Sequence, residues 1–177
     1  MKANKFVIFF LLKAAVLYLI WFFTYDLWLK KVGILDNLII DNLVYLSHEI
    51  LTFFNYHVNV DYHKMWIVGA KSSVIVGSGC DGVELLALFA GFVLIFEGSW
   101  KHKIWFLPVG LIIIHLFNVL RVVALTLNGH SSKVLLDFNH KYTFTIIMYC
   151  ITFLGWIIWV KYYANRLKVE NEKPYSE

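Results

Sequence analysis

Long apolar blocks separated by short polar stretches dominate the chain. Residues 6–23, 104–127 and 143–162 are each close to the length that crosses the hydrocarbon core of a bilayer, about 20 mostly apolar residues. A shorter block, 83–98, holds only Glu84 and Glu97 as charged residues, near its two ends. This pattern predicts an all-α polytopic membrane protein with about four transmembrane helices. They form a single integral membrane domain over residues 1–165, followed by a tail at 166–177. The first block follows Lys2 and Lys5, as the apolar core of a secretory signal would. It lacks a small-residue cleavage site after Phe23 and is long enough to span, so it reads as a retained helix.

Between the first two spans, residues 24–82 carry a different pattern. Leu35, Leu38, Ile39, Leu43, Leu46, Ile50 and Phe53 recur at helical spacing, with Asp36, Asp41, Ser47, His48 and Glu49 among them. Several charged groups are unfavourable at a bilayer centre, so residues 35–54 read as an amphipathic helix lying on the outer membrane surface. After it, Val58, Val60 and Tyr62, then Val74 and Val76, are β-formers on either side of the turn-prone run Gly69-Ala70-Lys71-Ser72-Ser73. They predict a small β-hairpin that delivers the chain to the next span. The tail NEKPYSE has the composition of a disordered end.

Composition supports the membrane reading. The chain of 177 residues is 60% hydrophobic, with a mean hydropathy of +0.67, whereas soluble domains hold about 45–50% apolar residues. The formal net charge of +4 reflects topology. Lys2 and Lys5, the run Trp100-Lys101-His102-Lys103, and Lys161, Arg166, Lys168 and Lys173 fall on one face when four spans are threaded. The positive-inside rule assigns that face to the cytoplasm. Residues 24–82 and 128–142 then lie on the other side, and the longer of these segments carries four lysines against six acids. No dense basic patch suggests nucleic acid. No convincing ligand set suggests a metal, and no cofactor is expected.

Three short stretches carry candidate chemistry. In VIVGSGCDGVELLALF, Cys80 lies just before a helix start, where unpaired N–H groups and the helix dipole favour an anion. Such a setting lowers a thiol pKa, and the thiolate is the nucleophile, so Cys80 is expected to be partly ionised near neutral pH. Taken alone, a free cysteine is more often a small buried apolar residue. Cys150, the other cysteine, falls well inside the last span, too deep for easy pairing with Cys80, and reads as helix packing. In the third span, Arg121 is an ionisable group inside a membrane helix and therefore a functional candidate. Asn118 shares its face, and Glu84 on the neighbouring helix is a candidate partner. Snorkelling to the headgroups is the alternative. His115, nearer mid-membrane, reads as a packed or hydrogen-bonded core histidine. In SSKVLLDFNHKYTF, His140 lies just before the last span. It can serve as base or acid for a thiol, but His130, His48, His57 and His63 compete for that role, and spacing does not choose among them.

The three motifs GCDGVELLALF, NVLRVVALTLNGH and FNHKYTF, in this order on successive outer membrane ends, resemble the exosortase/archaeosortase family. The matching positions are Cys80 with Gly82, Asn118 with Arg121, and His140, within about residues 74–160. Asp81 stands where many members carry serine or threonine, and the segment after His140 lacks a glycine often found there. The resemblance implies a membrane-embedded cysteine transpeptidase or protease, with Cys80 as nucleophile, His140 as acid and base, and Arg121 as oxyanion donor. Gly82, Glu84 and Asn118 support them. It implies, as substrates, secreted proteins ending in a short motif, a transmembrane helix and a basic cluster. It places the protein in a bacterial cytoplasmic membrane with the site on the outer face. The competing readings are a scaffold or export-system subunit, in which these groups only pack helices, and a transporter, for which four short spans are a poor basis.

Overall fold

In the computed structural model, residues 2–164 are described; the tail at 166–177, with Arg166, Lys168 and Lys173, lies outside them, as do the side chains of Lys2 and Lys5. Helix α1 (Lys2–Trp21) continues without a break through a π-helical stretch, Phe22–Leu29, and a last turn, Lys30–Val32. Together Val7–Val32 form 26 residues long and apolar enough to cross a membrane. The helix therefore outruns the predicted end at Phe23 and carries Tyr25, Asp26 and Lys30 beyond it. Gly33 then takes a left-handed conformation, φ 70°, and turns the chain into α2 (Ile34–Phe53).

α2 occupies the segment expected to be amphipathic, but its buried face is rotated from the purely apolar stripe. Asp36, Ile40, Leu43, Val44, Ser47 and Leu51 are buried, while Leu38 and Phe53 are exposed. The polar members of that face have partners. Tyr25 Oη donates to Asp36 Oδ1 at 2.7 Å, and Ser47 Oγ donates to the Val119 carbonyl at 3.4 Å. A buried polar group that is hydrogen-bonded is no longer costly, so a stripe counted on hydrophobicity alone misses it.

Three short antiparallel strands follow, in the order β1 (Val58–Asp61), β2 (Lys64–Ile67), β3 (Val74–Ile75). The register pairs Val60 with Met65, and Met65 with Val74. The hairpin is thus a three-stranded sheet. Its first turn is at Tyr62–His63, with Tyr62 at φ 54°, and the Gly69–Ser73 run makes the second connection. His63 Nε2 meets Asp41 Oδ1 at 2.9 Å and ties the sheet to α2.

The second predicted span is helix α3 (Val83–Ile95), only 13 residues, or roughly 20 Å at 1.5 Å per residue. It is apolar but shorter than a full crossing. Lys103, expected in a loop, is buried and helical, and its Nζ donates to the carbonyls of Leu94 and Phe96 at 2.8 Å each. Both carbonyls lie at the C-terminal end of α3, where a helix runs out of its own donors. α4 (Trp100–Ser131) is the central helix, 32 residues long with Pro108 inside. After Ser132 the chain is helical again: α5 (Lys133–Phe138), a π-helical stretch (Asn139–Thr143), α6 (Phe144–Ile158) and a second π-helical stretch (Trp159–Ala164). Lys133–Tyr163 is the third segment long and apolar enough to span.

The protein is an all-α membrane protein in outline, with three long apolar helices, one short one and a small sheet. Two buried clusters hold it together. One joins α2, the sheet, Cys80 and the C-terminal half of α4 through Leu43, Met65, Val76, Val119 and Val122. The other joins α3, α4 and α6 around Phe89, Phe106, Met148 and Trp159. Phe89 wedges between α4 and α6 opposite Gly110 and Gly155; a Cβ at 155 would lie 2.8 Å from its ring. Small residues allow such close approach where no hydrophobic force drives helices together in lipid.

Candidate active site

The loop from β3 to α3 is held by hydrogen bonds to its backbone, from other backbone groups and from two side chains. Val76 N donates to the His63 carbonyl at 2.9 Å, and Cys80 N to the Gly77 carbonyl at 2.7 Å. Asp81 Oδ1 accepts from Val83 N at 3.0 Å and so caps the start of α3. Asn118, one turn from Arg121 on α4, clamps this loop: its Nδ2 donates to the carbonyls of Cys80 at 2.9 Å and Asp81 at 2.8 Å. Gly82 stands at φ 77°, and a Cβ there would lie 2.9 Å from Asn118 Nδ2. Strain and the lost clamp act together at this position. Gly82→Ala is expected to destabilise the folded state by about 1–3 kcal/mol. Thermal unfolding in detergent should show a lower midpoint for Gly82→Ala and an unchanged one for Gly79→Ala, whose Cβ meets nothing within 4 Å.

The clamped loop holds Cys80 in the cluster of α2, the sheet and α4, 6% exposed. Its Sγ lies 2.6 Å from His140 Nε2. His140 is not in a loop before the last span, as the sequence suggested, but in the π-helical stretch Asn139–Thr143, in a continuous helix. Thr145 Oγ1 donates to its carbonyl at 3.2 Å. Arg121 approaches from α4 and is buried, 7% exposed. Its Nε has no hydrogen-bond partner, and its charge acts on both Cys80 and His140. Burial removes the snorkelling alternative, because a snorkelling arginine keeps its head in water or headgroups.

Two details depart from the sequence reading. Glu84 does not pair with Arg121. It is 70% exposed and faces Lys30 Nζ at 3.7 Å, because α1 runs on past Phe23. The Cys80 thiol is pushed up from its ordinary value, not down: burial is the largest cause and outweighs the Arg121 charge and the Gly77 contact, which pull it down. Cys80 and His140 are thus best described as a neutral thiol beside an imidazole. Alkylation of Cys80 should have its pH midpoint above the free-thiol value, near 8.5. Arg121→Gln should move the midpoint further up, because a charge that favours the thiolate is gone. A midpoint below the free-thiol value would show that the pair rests as an ion pair.

The competing histidines are engaged elsewhere or lie apart. His115 Nε2 meets Asn42 Oδ1 at 2.8 Å and links α4 to α2. His63 meets Asp41, His48 Nδ1 lies 3.5 Å from Glu49, and His130 is exposed at the end of α4. Cys150 is exposed and Cys80 buried, and both are free thiols.

Residues 6–158 match the transmembrane exosortase family (Exosortase_EpsH). The chain belongs to the transmembrane exosortase family. No curated protein and no solved structure matches it. As an exosortase-family protein it has its cysteine, asparagine, arginine and histidine on three separate elements: the β3–α3 loop, α4 for both Asn118 and Arg121, and the helix of His140. Asn118 was legible as sharing a face with Arg121, but its work as a backbone clamp was not. Asp81 was legible only as a departure from the family pattern. The structure adds that it caps α3 and lines a cleft.

Proposed function

We propose that this exosortase-family protein is a membrane-embedded cysteine transpeptidase that processes the C-terminal sorting signal of secreted proteins. Cys80, His140 and Arg121 are its catalytic residues. The observation that carries the reading is the 2.6 Å contact between Cys80 Sγ and His140 Nε2 with a buried, underused guanidinium beside them. A nucleophile within hydrogen-bond reach of its base is what acyl transfer requires. The site lies on the outer face of a bacterial cytoplasmic membrane; the distribution of lysine and arginine among the loops supports this sidedness.

The chemistry follows. His140 Nε2 takes the thiol proton as Sγ attacks the scissile carbonyl. The carbonyl oxygen becomes an oxyanion, held by Arg121. The intermediate collapses, the C–N bond breaks, and His140 gives its proton to the leaving amine. A thioester on Cys80 remains. His140 then takes a proton from the acceptor, an amine, a hydroxyl or water, as it attacks the thioester. The new acyl bond forms and Sγ leaves, regaining a proton. A buried neutral thiol suits this sequence, since a proton is transferred only as the bond forms. A substrate anchored by its own helix brings its cleavage site to the interface at high local concentration.

The test is co-expression with a secreted protein that ends in a helix and a basic cluster and is encoded nearby. Mass spectrometry of the mature protein should show a new C-terminus, modified or free, at one bond before the helix. A substrate that keeps its entire tail in the presence of the wild-type protein counts against the reading.

A further inference from the structure

A cleft of about 810 Å³ opens between α1, α3 and α6 and reaches the loop that holds Cys80. Its inner length is apolar, lined by Phe10, Leu17, Phe92 and Trp156. Its outer end is lined by Asp26, Asp81, Glu84 and Arg121. We propose that the Asp81 wall of this cleft, with Asp26 and Glu84, binds a basic side chain of the substrate segment next to the bond that Cys80 attacks. The inference rests on the transpeptidase reading and names a specificity element for it.

Asp81 is the decisive group. It is 2% exposed, yet only one of its carboxylate oxygens is used: Oδ1 accepts from Val83 N, and Oδ2 has no partner. A buried acceptor left unsatisfied is unfavourable, and a donor supplied by a ligand would remove that penalty. The nearby cation does not fill this role. Lys30 lies 3.9 Å from Asp26 and 3.7 Å from Glu84, and among the described residues no lysine or arginine nitrogen lies within 4.0 Å of the Asp81 carboxylate. Burial pushes the Asp81 carboxyl up to about 6, and a cation beside it would bring it down again.

The cleft mouth carries groups of opposite sign, and these give a peptide one orientation. Arg121 favours the side on which the carbonyl oxygen develops negative charge. Asp81 favours a positive group on the flanking residue. A segment with an acidic residue in that place meets like charge in a poorly hydrated cleft, and such juxtaposition excludes wrong partners.

Binding can be measured without cleavage in the Cys80→Ala protein, placed in phosphatidylcholine nanodiscs so that the lipid carries no net charge. The probes are three synthetic peptides: a leucine–alanine helix of about 20 residues, preceded by a glycine–serine flank with a single lysine, glutamine or glutamate. The lysine peptide is expected to bind about tenfold more tightly than the glutamate peptide, with glutamine between. Asp81→Asn keeps the Oδ1 acceptor that caps α3 and should bring the ratio to about twofold or less; Glu84→Gln should narrow it less. Asp61→Asn, on β1, should leave it unchanged. Equal binding of all three peptides, no saturable binding of the lysine peptide, or a preference that survives Asp81→Asn would overturn the proposal. Competition by free ethylamine with no preference among peptides would assign the wall to an incoming amine and would also overturn it. Because no step is catalytic, failure here leaves the transpeptidase reading to its own cleavage test, and failure of that test leaves the charge preference measurable.

Discussion

Cys80→Ser is expected to insert and fold like the parent protein and to stop processing of the sorting signal altogether. The two side chains are close in size, so the buried cluster around Cys80 should be little disturbed. The chemistry changes more. A serine hydroxyl is a far weaker acid than a thiol, and among the described residues the group within reach to take its proton is His140. No carboxylate hydrogen-bonds the other ring nitrogen of His140 among the described residues, so the support that activates a serine in a triad is missing. His140→Ala should be equally inactive, because neither thiol deprotonation nor protonation of the leaving amine has a substitute. His115→Ala and His130→Ala should retain processing: the first loses a contact to Asn42 and the second is exposed. Mature substrate in the Cys80→Ser strain, read by mass spectrometry, would end the enzyme reading. An inactive His130→Ala beside an active His140→Ala would mean that the wrong base is assigned.

How far the sequence reveals this arrangement differs by layer. The spans are legible because the bilayer imposes a length and an apolar composition on them, and three of the four runs are long helices. The ends are less legible. α1 continues to Val32 through a π-helical stretch, and no residue type marks a π turn as glycine or proline marks a stop. That extension changes an electrostatic assignment, since it brings Lys30 to Glu84 and leaves Arg121 without the expected carboxylate. The turn of the sheet was misplaced for a related reason: Tyr62 takes a positive φ that the sequence rule reserves for glycine or asparagine. On α2, Asp36 faces inward because Tyr25, eleven positions earlier on another helix, offers a hydroxyl. Periodicity sees no such long-range partner.

The candidate site follows the same division. Cys80, Arg121 and His140 were placed at one membrane face by counting spans, and the resemblance selected His140 from several histidines. The contact between Cys80 and His140 is a tertiary fact. The protonation state was misjudged because a helix start is visible in sequence and burial is not. For Cys80, burial outweighs the Arg121 charge and the Gly77 contact.

Arg121→Lys is expected to insert normally and to lose about 10²–10³ in processing rate, the usual effect of removing a transition-state donor. Both side chains carry one positive charge, so a role limited to balancing charge or to reaching the headgroups would survive the exchange. Guanidinium differs in geometry: it is planar and offers several N–H donors in a fixed fork, whereas ammonium is a point charge on a flexible stem. Arg121 lies ten residues before the end of α4, about 15 Å from it, and only 7% of it is exposed. A lysine there would have to hold its ammonium in a space shaped for a larger planar group, or retreat. The loss should fall on the rate of acylation more than on substrate binding, because the oxyanion exists only in the transition state and the intermediate. Single-turnover acylation of Cys80, followed as thioester formation with saturating substrate, separates the two. Arg121→Gln should lose at least as much, since it keeps a donor but no charge. Parent-like acylation by a well-folded Arg121→Lys protein would remove Arg121 from the catalytic set and leave it a helix-packing residue.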